Sequence, residues 1–145
     1  MKKMEHILLA KDNEDYAALF KRAMQSARIT ASLQVVRDGQ EAVDYLAGAA
    51  PYSDRSKHPF PKLLLLDLKM PRMNGFEVLS AVRQRLGFTQ LPVIVLTHSD
   101  NPADVKRAYE LGATSYFRKP DSLEGLDEMI HVLHAYWLKF NHFPE

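Results

Sequence analysis

Five side chains of this chain have the types and positions to do chemistry together: Lys11, Asp12, Asp67, Thr97 and Lys119. Asp67 closes the run KLLLLD over 62–67, four leucines ending on a carboxylate, and LKMPRMNG follows it. Two carboxylates can hold a hard, oxygen-seeking cation such as Mg2+, and a carboxylate can also act as a nucleophile. A lysine ammonium and a threonine hydroxyl suit the oxygens of a phosphoryl group, whose charge must be met as it transfers. Phosphoryl chemistry centred on Asp67 is what this set would support.

Strands and helices that alternate along the chain must position these groups. A short apolar run bounded by turn signals fits a strand buried on both faces of a parallel sheet. Strands are expected over 6–10, 33–36, 62–66, 92–96 and 115–118, and helices over 14–27, 39–47 and 76–86. A fourth helix starts at Asn101-Pro102, where Asn caps and Pro takes the first helical position, and ends at Gly112. Asp121-Ser122-Leu123-Glu124 opens a last, extended helix over about 122–142 in a capping-box-like arrangement. Five βα units with short joints predict an α/β fold: one doubly wound, five-stranded parallel sheet with right-handed crossovers. Ligands of such sheets sit beyond the carboxyl ends of the strands. Lys11 and Asp12, Asp67, Thr97 and Lys119 follow the first, third, fourth and fifth strands. One joint, about 49–61, carries three prolines and reads as an extended surface loop within a single domain over 1–145.

Composition narrows the class. With 145 residues, 46% hydrophobic and 26% charged, the chain reads as an ordinary globular protein. A net charge of +1 gives no bulk attraction to nucleic acid or to an anionic membrane. There is no cysteine, hence no disulfide and no thiol chemistry, which suits a cytoplasmic location. The opening MKKMEHILLAKDNED has too short an apolar core for a signal peptide.

The segments ILLAKDN, LLLLDLKMPRMNG, VIVLTHS and SYFRKP, in this order, resemble the signature of response-regulator receiver domains. The resemblance implies a flavodoxin-like (βα)5 fold and a regulatory phosphoacceptor rather than an enzyme, with at most self-catalysed phosphorylation and dephosphorylation. It implies a stand-alone two-component response regulator that takes a phosphoryl group from a sensor histidine kinase and signals by protein–protein contact. Asp67 would be the phosphoacceptor. Asp12, Asp67 and the main-chain carbonyl of Lys69 would hold Mg2+. Thr97 and Lys119 would bind phosphoryl oxygens, Tyr116 would be the aromatic switch residue, and the Lys119–Pro120 peptide would be cis. The long joint and the ending WLKFNHFP are similar to small regulators that partner bacterial phytochromes, which implies a phytochrome-like kinase.

Two positions depart from the receiver pattern. Lys11 stands where receivers carry an acid, so the formal charges of Lys11 and Lys119 cancel those of Asp12 and Asp67, and Mg2+ binding weaker than usual is expected. The expectation for its side chain is a stem that snorkels into water; the other reading is direct contact with the phosphoryl group. His98 replaces a small residue, and either narrows access to the phosphoryl site or turns outward.

Other readings compete with these. A degenerate receiver that binds partners without phosphorylation is the main alternative, with Lys11 and His98 as its grounds. An aspartate-nucleophile phosphatase of the haloacid-dehalogenase type needs a second acid two residues after the nucleophile, where this chain has Lys69. His131 and His134 share a helix face but lack a third zinc ligand. Arg83, Arg85, Lys106 and Arg107 read as solvated helix faces. In the last helix Leu126, Ile130, Leu133, Trp137 and Phe140 form a core-facing stripe. Met129, Val132 and Tyr136 form a second stripe beside it, suited to a homodimer or partner surface formed by the fourth and fifth helices.

Overall fold

The structure is a computed structural model that describes residues 5–144, so the Lys2-Lys3 opening lies outside the described residues. Its strands are β1 (His6–Ala10), β2 (Ser32–Val36), β3 (Leu63–Leu66), β4 (Val93–Thr97) and β5 (Ser115–Arg118). They form one fully parallel sheet in the order β2-β1-β3-β4-β5. The helices are α1 (Glu14–Ser26), α2 (Gly39–Ala47), α3 (Gly75–Ser80), α4 (Pro102–Glu110) and α5 (Leu123–Leu133). The expected alternation is therefore present, in the doubly wound arrangement.

The leucine run shows how the sheet builds two cores. Side chains alternate across a strand, so Leu64 and Leu66 pack on one face and Leu63 and Leu65 on the other. Leu64 and Leu66 join Val43 and Leu46 of α2 and Val78 and Leu79 of α3. Leu63 and Leu65 join Phe20 and Met24 of α1 and Leu126, Ile130 and Leu133 of α5. Because both faces are covered, β3 needs no polar residue until its end. Among the described residues no helix is long and apolar enough to cross a membrane.

Helix ends follow local chemistry, with one shift. Asn101 accepts from the amide of Ala103 with Pro102 at the first helical position, as expected. Ser122 caps α5 by accepting from Gly125, so the third helical position is a glycine and no reciprocal bond forms. The reciprocal capping box lies instead at α3, between Asn74 and Glu77.

The third and last helices reach as far as expected, but their ends change period, and the packing expected for the last helix is corrected. Helix α5 continues over His134–Phe140 with π geometry, and α3 likewise over Ala81–Arg85. The wider π turn rephases the end of α5, so Leu138 is buried at 7% exposure while Phe140, expected in the core, is 68% exposed. Trp137 is only partly buried, and Met129 of the supposed outer stripe is in the core, leaving Val132 and Tyr136 exposed. Leu138→Ala is expected to lower stability by about 2–4 kcal/mol and Phe140→Ala by less than about 0.5 kcal/mol in urea unfolding. Equal losses would mean that the α-helical phase continues to the end.

Arg83 is not solvated. Its guanidinium donates to the carbonyls of Phe88, Leu91 and Gly112, satisfying acceptors that the turns leave without partners. The Lys119–Pro120 peptide is trans, and the cis bond among the described residues is Ala50–Pro51. Trans is the lower-energy form for an X–Pro bond by about 0.5–1 kcal/mol, and Pro120 is packed against Gly125 as it stands.

The joint over 49–61 is irregular, as expected, but anchored. Arg55 donates to the carbonyls of Tyr45, Leu46 and His58, which ties the loop to the last turn of α2. Tyr52 adds a bond from its hydroxyl to Glu41.

Candidate functional site

Backbone bonds that prolong the sheet by one residue hold three of the site residues. The amide of Lys11 donates to Val36 at the end of β2, and that of Asp67 to Ala10 at the end of β1. Lys119 donates in the same way to Thr97 at the end of β4. Each group therefore leaves a paired backbone and not a free loop. The five residues expected to act together do converge at this edge.

Asp67 is buried at 4% exposure, and both of its oxygens are engaged. Oδ1 accepts from the amide of Leu68 at 2.9 Å. Oδ2 accepts from Lys11 Nζ at 2.7 Å and from Lys119 Nζ at 3.4 Å. Lys11 Nζ also lies 3.7 Å from Asp12 Oδ1. The snorkelling expectation for Lys11 is thus overturned: its side chain is 11% exposed and turned inward. A buried carboxylate needs a close partner, and the more distant Lys119 meets that need only in part.

The two ammoniums respond differently to one carboxylate. Burial opposes the charge on Lys11, but its hydrogen bond to Asp67 and the charges of Asp67 and Asp12 outweigh that and hold its pKa above the ordinary lysine value. Lys119 is 1% exposed and more distant, and burial, with Lys11 alongside, pushes it down to about 8. The ring of Tyr16 faces both cations, 4.6 Å from Lys119 Nζ and 5.8 Å from Lys11 Nζ. The helical spacing of Tyr16, Phe20 and Met24 marks Tyr16 only as an apolar position of α1 and does not reveal this contact.

Beside Asp67 an open cleft of about 610 Å³ is lined by Asp12, Lys69, Asn74, Thr97, Asp104 and Arg107, among others. Thr97 is buried at the cleft wall. His98 is exposed and does not line the cleft. The Tyr116 hydroxyl donates to the carbonyl of Ser99, and burial raises its pKa.

The loop that carries Lys69 is fixed by close backbone approaches. A Cβ on Gly75 would run into the carbonyl of Asp67 and the backbone of Leu68, and one on Gly39 into the carbonyl of Met73. Arg72, at φ 63°, forks onto both oxygens of Asp38 at the start of α2. Sequence reasoning did not single out Gly39 or Arg72.

A divalent ion here would take Asp12, Asp67 and the Lys69 carbonyl. Hard cations need several oxygens and benefit from anionic ligands. Among the described residues no group of three or more acidic or histidine side chains is placed to hold an ion. An ammonium already lies between the two carboxylates. With Lys11 where it is, these residues do not fit a divalent ion.

Comparison with known proteins agrees with the geometry. The family model described as "Response regulator receiver domain" matches residues 7–131. Response regulator Rcp1 of Synechocystis is 34% identical over 133 residues, 92% of this chain and 88% of that protein. Its Mn(2+)-bound form has been solved and superposes with a TM-score of 0.85 at 33% identity, covering 97% of this chain and 99% of that one. The phosphorylated cyanobacterial phytochrome response regulator RcpA superposes with a TM-score of 0.90 at 29% identity, covering 99% and 100%. Response regulator RPA3017, of red light signaling in R. palustris, gives 0.91 at 31% identity over 98% and 99%. A fold, a strand-end site and a family match over most of the sequence agree, and the chain belongs to the response regulator receiver domain family.

Proposed function

We propose that this chain is a stand-alone, cytoplasmic response regulator, one receiver domain over 1–145, that accepts a phosphoryl group on Asp67 from a sensor histidine kinase. The observation that carries the reading is the Asp67 carboxylate itself, buried at the strand-end edge, held by two ammoniums and set beside a cleft that Thr97 lines. A phosphorylated relative, RcpA, of nearly the same length supports it, and its phytochrome association supports a phytochrome-like kinase.

An oxygen of Asp67 attacks phosphorus in line, while Lys119 and the Thr97 hydroxyl meet the charge on the equatorial oxygens. Leu68 holds the carboxylate in orientation through its amide. The phosphoryl group then draws on Thr97, and the Tyr116–Ser99 bond beside it is the element whose rearrangement transmits the state to α4. Output is contact with another protein, to which α4 and α5 offer exposed Tyr109, Val132 and Tyr136. Mg2+, the cofactor that the family resemblance implies, has no fitting site while Lys11 lies between the two carboxylates.

Intact mass after incubation with acetyl phosphate in Mg2+ buffer tests the reading. One phosphoryl mass is expected on the parent protein and none on Asp67→Asn. A folded parent that gains no mass under any condition would overturn it.

A further inference from the structure

We infer that the Lys11 ammonium is the resident cation of this site, so that Asp67 accepts and holds a phosphoryl group without a divalent ion. The inference rests on Asp67 as the phosphoacceptor, and the geometry is specific. Lys11 Nζ is 2.7 Å from Asp67 Oδ2 and 3.7 Å from Asp12 Oδ1, between the two carboxylates expected as metal ligands. Its backbone is fixed by the bond to Val36, so the charge is delivered from a rigid strand end.

Charge balance points the same way. Phosphorylation turns the Asp67 carboxylate into an acyl phosphate that carries a charge of about −1.5 to −2. With Asp12, Lys11 and Lys119 around it, the site is then left at about −1. A glutamate at position 11 would leave about −3, a charge that calls for a divalent cation. Lys11 removes most of that demand before any ion arrives.

The step balances without a metal or a proton. One Asp67 oxygen bonds to the phosphorus of an acyl phosphate as the bond from phosphorus to the donor's oxygen breaks. The donor carboxylate leaves with the electron pair. Charge on the transferring oxygens falls to Lys11 and Lys119.

The test follows intact mass with acetyl phosphate in excess EDTA and, separately, in millimolar Mg2+. The parent is expected to react in EDTA within about threefold of its rate in Mg2+, and Lys11→Glu about 100-fold slower in EDTA than in Mg2+. Lys11→Arg should keep the metal-free reaction and Lys11→Gln should lose it, which separates charge from shape. Thermal melts give an independent readout: Mg2+ should raise the Tm of Lys11→Glu and leave the parent unmoved. A parent that reacts only with Mg2+ overturns the inference and leaves Asp67 as phosphoacceptor. So does an inert parent beside a Lys11→Glu variant that reacts in Mg2+. If neither protein reacts in any buffer, while melts show both folded, the inference and the phosphoacceptor reading fall together.

Discussion

Asp67→Asn is expected to lower the unfolding free energy by about 2–4 kcal/mol at pH 7, measured in urea. The sign depends on Lys11. Where acids crowd a carboxylate, neutralising one of them relieves repulsion. Here the same change takes the shared anionic partner from two ammoniums, one of them 1% exposed. Breaking a buried pair from one side leaves the other charge uncompensated, which costs about 3–5 kcal/mol when no other partner exists. Asp12 stays within 3.7 Å of Lys11, and the asparagine oxygen still accepts a hydrogen bond, so the lower part of that range applies. Adding Lys11→Met to Asp67→Asn should restore at least half of the loss, since the stranded charge goes with it. An Asp67→Asn protein as stable as its parent would mean that the pair does not form in solution.

Lys119→Met is expected to act in the opposite direction, stabilising the fold by about 1–3 kcal/mol at pH 7 while slowing phosphorylation. Burial first, then Lys11, pushes the Lys119 pKa down to about 8 from the ordinary lysine value of 10.5. Between those two values the unfolded chain binds the proton that the folded chain has released. Stability contributed by this group therefore rises with pH across about 8 to 10.5 and is lost as pH falls through 8. Taking the difference in unfolding free energy between parent and Lys119→Met at pH 7 and at pH 9.5 isolates this group from the tyrosines, which both proteins share. The advantage of Lys119→Met should shrink between the two pH values. A difference that does not change with pH would show that Lys119 titrates as it does in the unfolded chain. A lysine that the fold would be more stable without is a lysine kept for its charge at the site.

The legible parts of this molecule are those set by periodicity and topology. The four leucines of β3 announce burial on both faces, and a parallel sheet then brings Asp12, Asp67, Thr97 and Lys119 to one edge with no further information. What stayed hidden depends on pairing in three dimensions. Nothing in the order of residues says whether Lys11 faces water or Asp67; the need of a buried carboxylate for a partner decides it. Arg83 looked solvated because its acceptors come from turns at Phe88 and Leu91 and from Gly112, which pattern reading treats as mere connections. The exchange of Phe140 for Leu138 in the core follows from the π turn, a change of helical period that a fixed 3.6-residue count cannot register. The cis peptide expected at Pro120 came from family resemblance alone, and that peptide is trans.

Arg55 has a consequence for how the molecule opens. Because one guanidinium bonds to carbonyls of both α2 and the loop over 49–61, neither can detach without stranding acceptors of the other. In hydrogen exchange the loop and the helix are expected to open as one cooperative unit, with similar protection in both despite the loop's lack of regular structure. The opposite end of that helix carries Asp38, whose carboxylate accepts from Arg72 in the loop beside the cleft next to Asp67.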